Sequence, residues 1–567
     1  MELFLIDGIS PFFRNLPPGR INWSKIPFAA LEKDGQPDPE RFQQIQKDFA
    51  AFAERAVRTG YNAVTLDDAA HLITCSAYPP ELQKKIGIYR TEYRQLFASA
   101  RQAGLKIFIT TDVMFYHESL KALLGKSRPR ITRFLKEAFQ QLFREFPEIA
   151  GIILRIGESD GQDVDGDFIS RLTLKTPQQV NRFIKALLPV FEQSDRLMIF
   201  RTWTVGTWPI GDLIWNRNTF RRTFNGIDND HLILSMKYGE TDFFRFLPLN
   251  KLFFYSPHRK IVELQARREY EGFGEYPSFI GWDCEKLARQ LLQAQNMAGI
   301  QVWCQSGGWS AFRNLTWVEN SSVWNEINVE TTLTIFKNGW TTEKAVRRWA
   351  KQHLKKGHWL QLLQLLRFSD EVIKELLYLE EFSRSKIFFR RLRVPPLLWV
   401  LWDRIFINNL VRLMLRLHVR HREEAVIEGR AALKKIKLMR RLAKQLGLPT
   451  DGLDFQYDTF RFLAAAREYC FRPVTDELIQ RIRAMEKEYI AAYPVPYEIQ
   501  FDPSHGNLKK MHLRFFTALF FRHRRGYRLF DHFLTLHGLK LIYPLIRKRH
   551  VPSFARKQAM GIDAVFK

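Results

Sequence analysis

The chain has 567 residues, 46% apolar and 26% charged, and a formal net charge of +27. That apolar fraction supports a sizeable core and excludes a globally disordered chain, and at ~100–200 residues per domain the length allows two or three domains, or one large barrel plus an appendage. The charge is uneven: residues 1–330 hold 41 Lys and Arg against 38 Asp and Glu, whereas residues 331–567 hold 46 against 22, so a nearly neutral unit precedes a basic one suited to anionic partners.

The N-terminal MELFLIDGISPFFRN places Asp7 inside its apolar run and lacks a basic flank, so it does not read as a signal peptide. The four cysteines, Cys75, Cys284, Cys304 and Cys470, show neither CxxC spacing nor a Cys/His cluster. They read as free thiols of a reducing compartment, and a cytoplasmic location is expected. No run reaches ~18 uncharged apolar residues, so no membrane span is expected. The nearest, Pro395 to Leu415, is interrupted by Asp403, Arg404 and Arg412 and reads as a buried or interfacial helix.

Short β-branched runs follow in chain order at Ile26–Leu31, Asn62–Leu66, Lys106–Thr110, Gly151–Ile156, Leu197–Thr202, His231–Met236, Lys260–Leu264 and Gly299–Cys304. Amphipathic segments such as Phe42–Thr59 and Arg90–Ala103 lie between them. This alternation predicts βα units, and eight strands over roughly 300 residues fit a (β/α)8 TIM barrel, an α/β fold, across residues 1–340. An open doubly wound sheet is the alternative, but no GxGxxG follows the first strand. From about Glu343 the pattern turns helical, at Glu343–Lys356, Leu360–Arg384, Leu397–Arg420, Glu424–Leu446, Thr459–Tyr469 and Thr475–Tyr493. Residues 341–567 are therefore expected to form a basic, mostly α-helical C-terminal domain.

In βα barrels the chemistry sits where strands end. Polar or aromatic residues recur there: Asp67 and Asp68, Thr111 and Asp112, Glu158 to Asp160, Trp203, Lys237 to Asp242, Glu263 to Glu269, and Gln305. Any one of them reads as a helix cap or a solvated loop residue, so the reading rests on the set. In residues 151–168 an apolar strand runs into Glu158, Asp160, Asp163, Asp165 and Asp167. Desolvation and like charge raise a carboxyl pKa, as a general acid for a glycosidic oxygen requires. A solvated or metal-binding acidic loop is the bland alternative, without the terminal Glu of an EF-hand. Residues 231–246 then carry Lys237, Glu240 and Asp242, and residues 262–279 carry Glu263, Gln265 and Glu269. Inverting glycosidases need such a base across from the acid, with room for a water between them.

The order of these motifs resembles the family-67 α-glucuronidases, which are inverting barrel enzymes. Their acid follows a Gly-apolar-apolar-apolar-Lys strand and precedes Gly-Gln; Gly151 to Arg155 and Gly161-Gln162 are similar. Met198 to Trp203 resembles their next strand, with its Arg and aromatics. Lys237, Gly239 and Asp242 resemble one base segment, and Glu263, Leu264, Gln265, Glu269 and Tyr270 the other. Asn325, Phe336, Trp340 and Trp349 are similar to the family's passage into its C-terminal helices, so the likeness covers about residues 20–355. It implies Asp242 and Glu269 as the base pair. The acid motif differs by one residue, leaving Glu158 or Asp160 as the counterpart, with Glu158 nearer the strand end. Arg155 stands where the family has Lys, and the family's N-terminal β-domain has no counterpart here.

Trp203, Trp208, Trp282, Trp303 and Trp309 fall at or after strand ends, where indoles can pack on the CH faces of sugars. Trp303, inside a strand, reads equally as core. Arg155, Arg201 and Lys237 suit a sugar carboxylate, or else structural ion pairs. The histidines are scattered, so neither metal nor cofactor is expected. Residues 505–567 hold fourteen Lys and Arg against Asp531 and Asp563, interleaved with Phe515, Phe516, Phe520, Phe521 and Phe530. That mixture suits an anionic membrane surface, and no motif points to nucleic acid.

The expected activity is thus an inverting glycoside hydrolase acting on an acidic oligosaccharide of uronic-acid type. Glu158 is the expected acid, and Asp242 and Glu269 the base. Asp160, Arg155, Arg201, Trp203, Lys237, Glu263, Gln265 and Trp303 are expected around the substrate. The alternative is a non-catalytic barrel that binds a glycan or glycolipid at an anionic membrane through residues 505–567.

Overall fold

The structure is a computed structural model that describes residues 1–21, 25–156, 166–170, 172–204, 208–309, 313–355, 357–389, 392–397, 399–401, 404–493, 498–504 and 521–522. Eight strands close into a parallel barrel in chain order: β1 (Leu3–Asp7), β2 (Ala63–Asp67), β3 (Lys106–Asp112), β4 (Ile149–Arg155), β5 (Leu197–Arg201), β6 (Leu232–Lys237), β7 (Lys260–Gln265) and β8 (Met297–Trp303). Around it run α1 (Pro39–Thr59), α2 (Pro80–Ala103), α3 (Arg128–Glu145), α4 (Pro177–Gln193), α5 (Arg217–Phe224), α6 (Gly281–Leu291) and α7 (Val323–Asn338). This is a (β/α)8 barrel followed by a helical region. Local signals set the helix ends. Asp38 caps α1 by accepting from the Glu40 N–H at 3.1 Å, Pro39 opens the helix, and Gly60 closes it at a φ of 118°.

Seven strands lie within two residues of their expected bounds; the first does not. Ile26–Leu31 was the expected opening strand, but Phe28–Leu31 is a 3-10 turn and the barrel opens at Leu3. Two apolar runs of similar length compete here, and closure decides between them. LFLID pairs with both β2 and β8. Gly299 lets β8 come close, since a Cβ there would fall 1.8 Å from the Leu3 carbonyl oxygen.

Period-two alternation sorts each strand. Leu3, Leu5, Ala63, Phe108, Ile153, Ile199, Ile233 and Ile261 form one small apolar core. Their neighbours, such as Phe4, Val64, Ile107, Ile152, Met198, Leu234 and Val262, join the core shared with the helices. Continuing the inner set upward in steps of two residues brings Asp7, Asp67, Asp112, Arg155, Arg201, Lys237, Glu263 and Gln265 to the C-terminal mouth, all of them buried. The polar ring is a consequence of strand geometry.

Asp7 seals the seam. The N–H groups of Cys304 and Gln305 donate to its two carboxylate oxygens, the latter at 3.2 Å. Burial pushes its pKa up to about 7 despite those bonds. The native chain thus keeps a proton that the unfolded chain releases above ~4, so stability falls as pH rises from ~4 to about 7 and is flat beyond. Asp7→Asn should flatten that fall, by ~1.4 kcal/mol per pH unit, in guanidinium unfolding at pH 5 and pH 7.5. An unchanged trend would mean that the native carboxyl is already ionised.

The helical region comprises α8 (Thr342–His353), α9 (Trp359–Val372), α10 (Asn409–His418), α11 (Arg422–Gln445), α12 (Asp451–Phe471) and α13 (Asp476–Ala492). The expected helix Leu397–Arg420 opens instead with strand. Arg404–Asn408 pairs with Val400–Leu401 and Glu498–Asp502, and the helix begins only after Asn408 caps the Val411 N–H at 2.8 Å. Buried Ile405 and Ile407 alternate there in the strand period, which the surrounding apolar run hid. The region shares a core with the loops after β6 and β7, through Phe244, Tyr276 and Phe279.

Among the described residues the four cysteines are free thiols, and no helix is long and apolar enough to cross a membrane. Of the basic tail only Phe521–Arg522 is described; it pairs with Phe388–Phe389. The rest of residues 505–567 lies outside the described residues.

Candidate active site

Two clusters face each other across the strand ends. On the β2–β4 side, Arg155 donates from Nε to Asp112 Oδ1 at 2.8 Å, with its Nη2 3.9 Å from Asp67 Oδ1. Lys25 Nζ reaches Asp112 Oδ2 at 3.0 Å. Burial raises the Asp112 pKa, but Arg155 and Lys25 outweigh it and hold the carboxyl well below the usual range. Arg155 and Lys25 act on Asp67 too, but without a close bond such as each makes to Asp112. Burial wins there, and its pKa rises to about 6. Asp67 can therefore hold a proton in mildly acidic solution, whereas Asp112 stays ionised.

On the β5–β7 side, Arg201 grips Glu263 with two bonds, Nε to Oε1 at 2.9 Å and Nη2 to Oε2 at 2.8 Å. Ser235 Oγ adds a bond at 2.7 Å and the Trp303 indole N–H one at 3.3 Å. Burial raises the Glu263 pKa, but Arg201 outweighs it and leaves a value of about 2. Glu263 is a fixed anion and cannot donate a proton near neutrality.

Lys237 Nζ lies 2.7 Å from Asp242 Oδ1 and 3.6 Å from the centre of the Trp203 ring. Asp242 also accepts from the Phe243 N–H at 2.9 Å and from the Tyr270 hydroxyl at 2.8 Å. Glu269 is the residue before Tyr270, and its Oε2 accepts from Gln265 Nε2 at 3.1 Å. Lys237, at the end of β6, thus joins Asp242, Tyr270 and Trp203, on the loops after β5, β6 and β7, in one network, while Glu269 is held by Gln265 and adjoins Tyr270 in the chain. Such an arrangement can present two carboxylates and a cation beside an indole face.

Of the residues singled out from the sequence, Arg201, Trp203, Lys237, Asp242, Glu263, Gln265, Glu269 and Trp303 lie in this second cluster. Arg155 belongs to the first. Glu158 and Asp160 fall outside the described residues. Asp67 and Asp112 belong to the strand-end set read from the sequence, without an individual role there. Their position after an apolar strand was the available signal, as it was for Asp7 once LFLID is taken as a strand. Another contribution had no sequence signal. Glu240, after β6, is met by Lys386 at 3.2 Å and Arg393 at 3.8 Å, both from the helical region. Phe388 packs against Trp215 at a 51° tilt with ring centres 5.2 Å apart, in a cluster that Trp203 borders. The helical region therefore reaches the barrel mouth. Among the described residues no group of three or more His, Cys, Asp or Glu could hold a metal ion.

No protein-family model matches the sequence, and neither does any curated protein. In fold the chain is similar to a GH138 enzyme targeting pectin rhamnogalacturonan II, at TM-score 0.53 and 12% identity over 88% of this chain and 63% of that one. The chain thus spans less than two thirds of that protein's length. The O-GlcNAc hydrolase of Thermobaculum terrenum aligns at TM-score 0.39 and 9% identity over 78% of this chain and 85% of that one. A Bacteroidetes-affiliated GH5 cellulase aligns at TM-score 0.35 and 12% identity over 59% and 96%. At such identities the first likeness shows a shared fold.

Proposed function

We propose that the chain is a glycoside hydrolase that cleaves an acidic glycan of uronic-acid type with inversion. One observation carries the reading: the network of Lys237, Asp242 and Tyr270 at the barrel mouth beside the Trp203 ring, with Glu269 next to Tyr270 in the chain. In this reading Glu158 protonates the glycosidic oxygen, and Asp242 with Glu269 takes the proton of the attacking water. Trp203 packs on the sugar's CH face. The fork of Arg201 is filled by two bonds to Glu263, whereas the bond to Asp242 takes one of the three N–H donors of Lys237, so the sugar carboxylate falls to Lys237. The fold likeness to a pectin-directed enzyme supports a glycan substrate.

A second reading of the acid also has an observation behind it. Asp67 sits at the mouth with a pKa of about 6 and could supply the proton in place of Glu158.

The test is a time-resolved NMR assay on an oligosaccharide ending in an α-linked glucuronic acid, run beside its neutral glucose counterpart. The expected first product is β-glucuronic acid, with the neutral analogue cleaved far more slowly. Appearance of the α-anomer first would remove inversion, and equal rates on both substrates would remove the acidic specificity.

A further inference from the structure

The helical region meets the barrel mouth at two points, and both lie on one pair of strands. Phe388–Phe389 pairs antiparallel with Leu392–Arg393, and Phe521–Arg522 adds a third strand. Toward the loop after β6, Lys386 Nζ donates to Glu240 Oε2 at 3.2 Å, and Arg393 Nη1 lies 3.8 Å from the same oxygen. Glu240 is only 2% exposed. A carboxylate that deep needs cations, and these two come from the helical region. Toward the loop after β5, the Phe388 ring packs on Trp215 at 5.2 Å, in a buried cluster with Ile214. Trp203 packs against that cluster.

The side chains of these two loops meet at Lys237. Asp242 bonds its Nζ at 2.7 Å, and the Trp203 ring centre lies 3.6 Å from the same nitrogen. Only Thr241 stands between Glu240 and Asp242 in the chain. A buried carboxylate that loses its cations draws its backbone toward water, and a neighbour so close in sequence is carried with it. We propose that the strand pair is a positioning element of the mouth. Glu240, held by Lys386 and Arg393, sets where Asp242 stands, and Phe388, through Trp215, sets where Trp203 stands. The helical region is then part of the frame of the site. The holding rests on the contacts alone; that Asp242 and Trp203 serve a sugar rests on the hydrolase reading above.

The test compares the full chain with a double variant, Lys386→Met with Arg393→Met, by amide hydrogen exchange and by steady-state kinetics on the glucuronic-acid oligosaccharide. Exchange in the loop after β6, residues 238–246, should speed up roughly tenfold or more, with α11 unchanged. The kcat should fall roughly 10- to 100-fold with KM within a few-fold, because a misplaced base slows the chemical step. Glu240→Gln added to the double variant should recover most of that loss, since a neutral amide needs no cation. A contact that merely stabilised the fold would not give this pattern. Lys386→Met alone, the milder change, should show the same effects at smaller size, and it decides the matter if α11 also loosens. Phe388→Ala should instead raise KM roughly 3- to 10-fold, through Trp203. Unchanged exchange in the loop, an unchanged kcat, no recovery with Glu240→Gln, or an unchanged KM for Phe388→Ala overturns the proposal. A parent chain inactive on every uronic-acid substrate, with loop exchange rising as expected, removes the hydrolase reading and leaves the holding of the loop standing.

Discussion

Glu158→Gln is expected to lower kcat on a uronic-acid oligosaccharide by about 10²- to 10⁴-fold, with KM changed only a few-fold. The amide keeps the shape of the side chain but has no acidic proton to deliver. The loss should shrink on an aryl glycoside with a good leaving group, because little protonation is needed there. The rival is Asp67, whose burial raises its pKa to about 6. If Asp67 were the donor, Asp67→Asn would carry the large loss and Glu158→Gln would be nearly silent. With Glu158 as donor, Asp67→Asn should cost far less, acting through the Arg155 and Asp112 cluster. Steady-state kinetics of both variants on both substrates decide the matter. A kcat for Glu158→Gln within threefold of the parent sinks the assignment of Glu158.

Arg245→Met is expected to destabilise the fold by about 3–5 kcal/mol, as breaking a buried charge network does. Arg245 stands three residues after Asp242 and is 2% exposed. Its Nε donates to Glu271 at 2.9 Å, its Nη1 to Asp283 at 2.7 Å and Asp370 at 2.9 Å, and its Nη2 to Ser278 at 2.9 Å and the Phe279 carbonyl at 3.1 Å. Burial raises the Glu271 pKa, but Arg245 and then Arg268 outweigh it and hold it at about 2. Removing Arg245 leaves Glu271 with Arg268 at 3.0 Å, and Asp370 with Lys374 at 2.9 Å. Asp283 is more exposed, so its share is screened. The damage therefore concentrates at Glu271 and Asp370. Asp370 lies on α9, so the variant should also loosen the helical region from the loop after β6. Denaturant unfolding measures the first effect and limited proteolysis the second. A change below about 1 kcal/mol would show that the neighbouring cations can take over the network.

Much of this was legible from residue order. Seven barrel strands could be read because each is a short apolar run ending in a polar residue, and strands need no distant partner to reveal their period. Lys237, Asp242, Glu263 and Glu269 followed, because each lies at or just after such a strand end. β1 was not legible, since LFLID and the run at Ile26–Leu31 look alike until one of them must close the ring against β8. The same holds for Arg404–Asn408, whose strand pairing with Glu498–Asp502 spans some ninety residues of chain. Pairing was the harder part. The sequence placed Arg201 and Glu263 at strand ends, but only the barrel's curvature joins them, and it leaves Arg155 close to Asp112 and farther from Asp67. Composition, strand period and the order of the motifs were thus determined by the sequence itself. Which charges meet, which carboxyl keeps its proton and how the helical region reaches Glu240 were decided by tertiary structure, because Coulomb attraction and desolvation depend on distances that neighbours in sequence do not set.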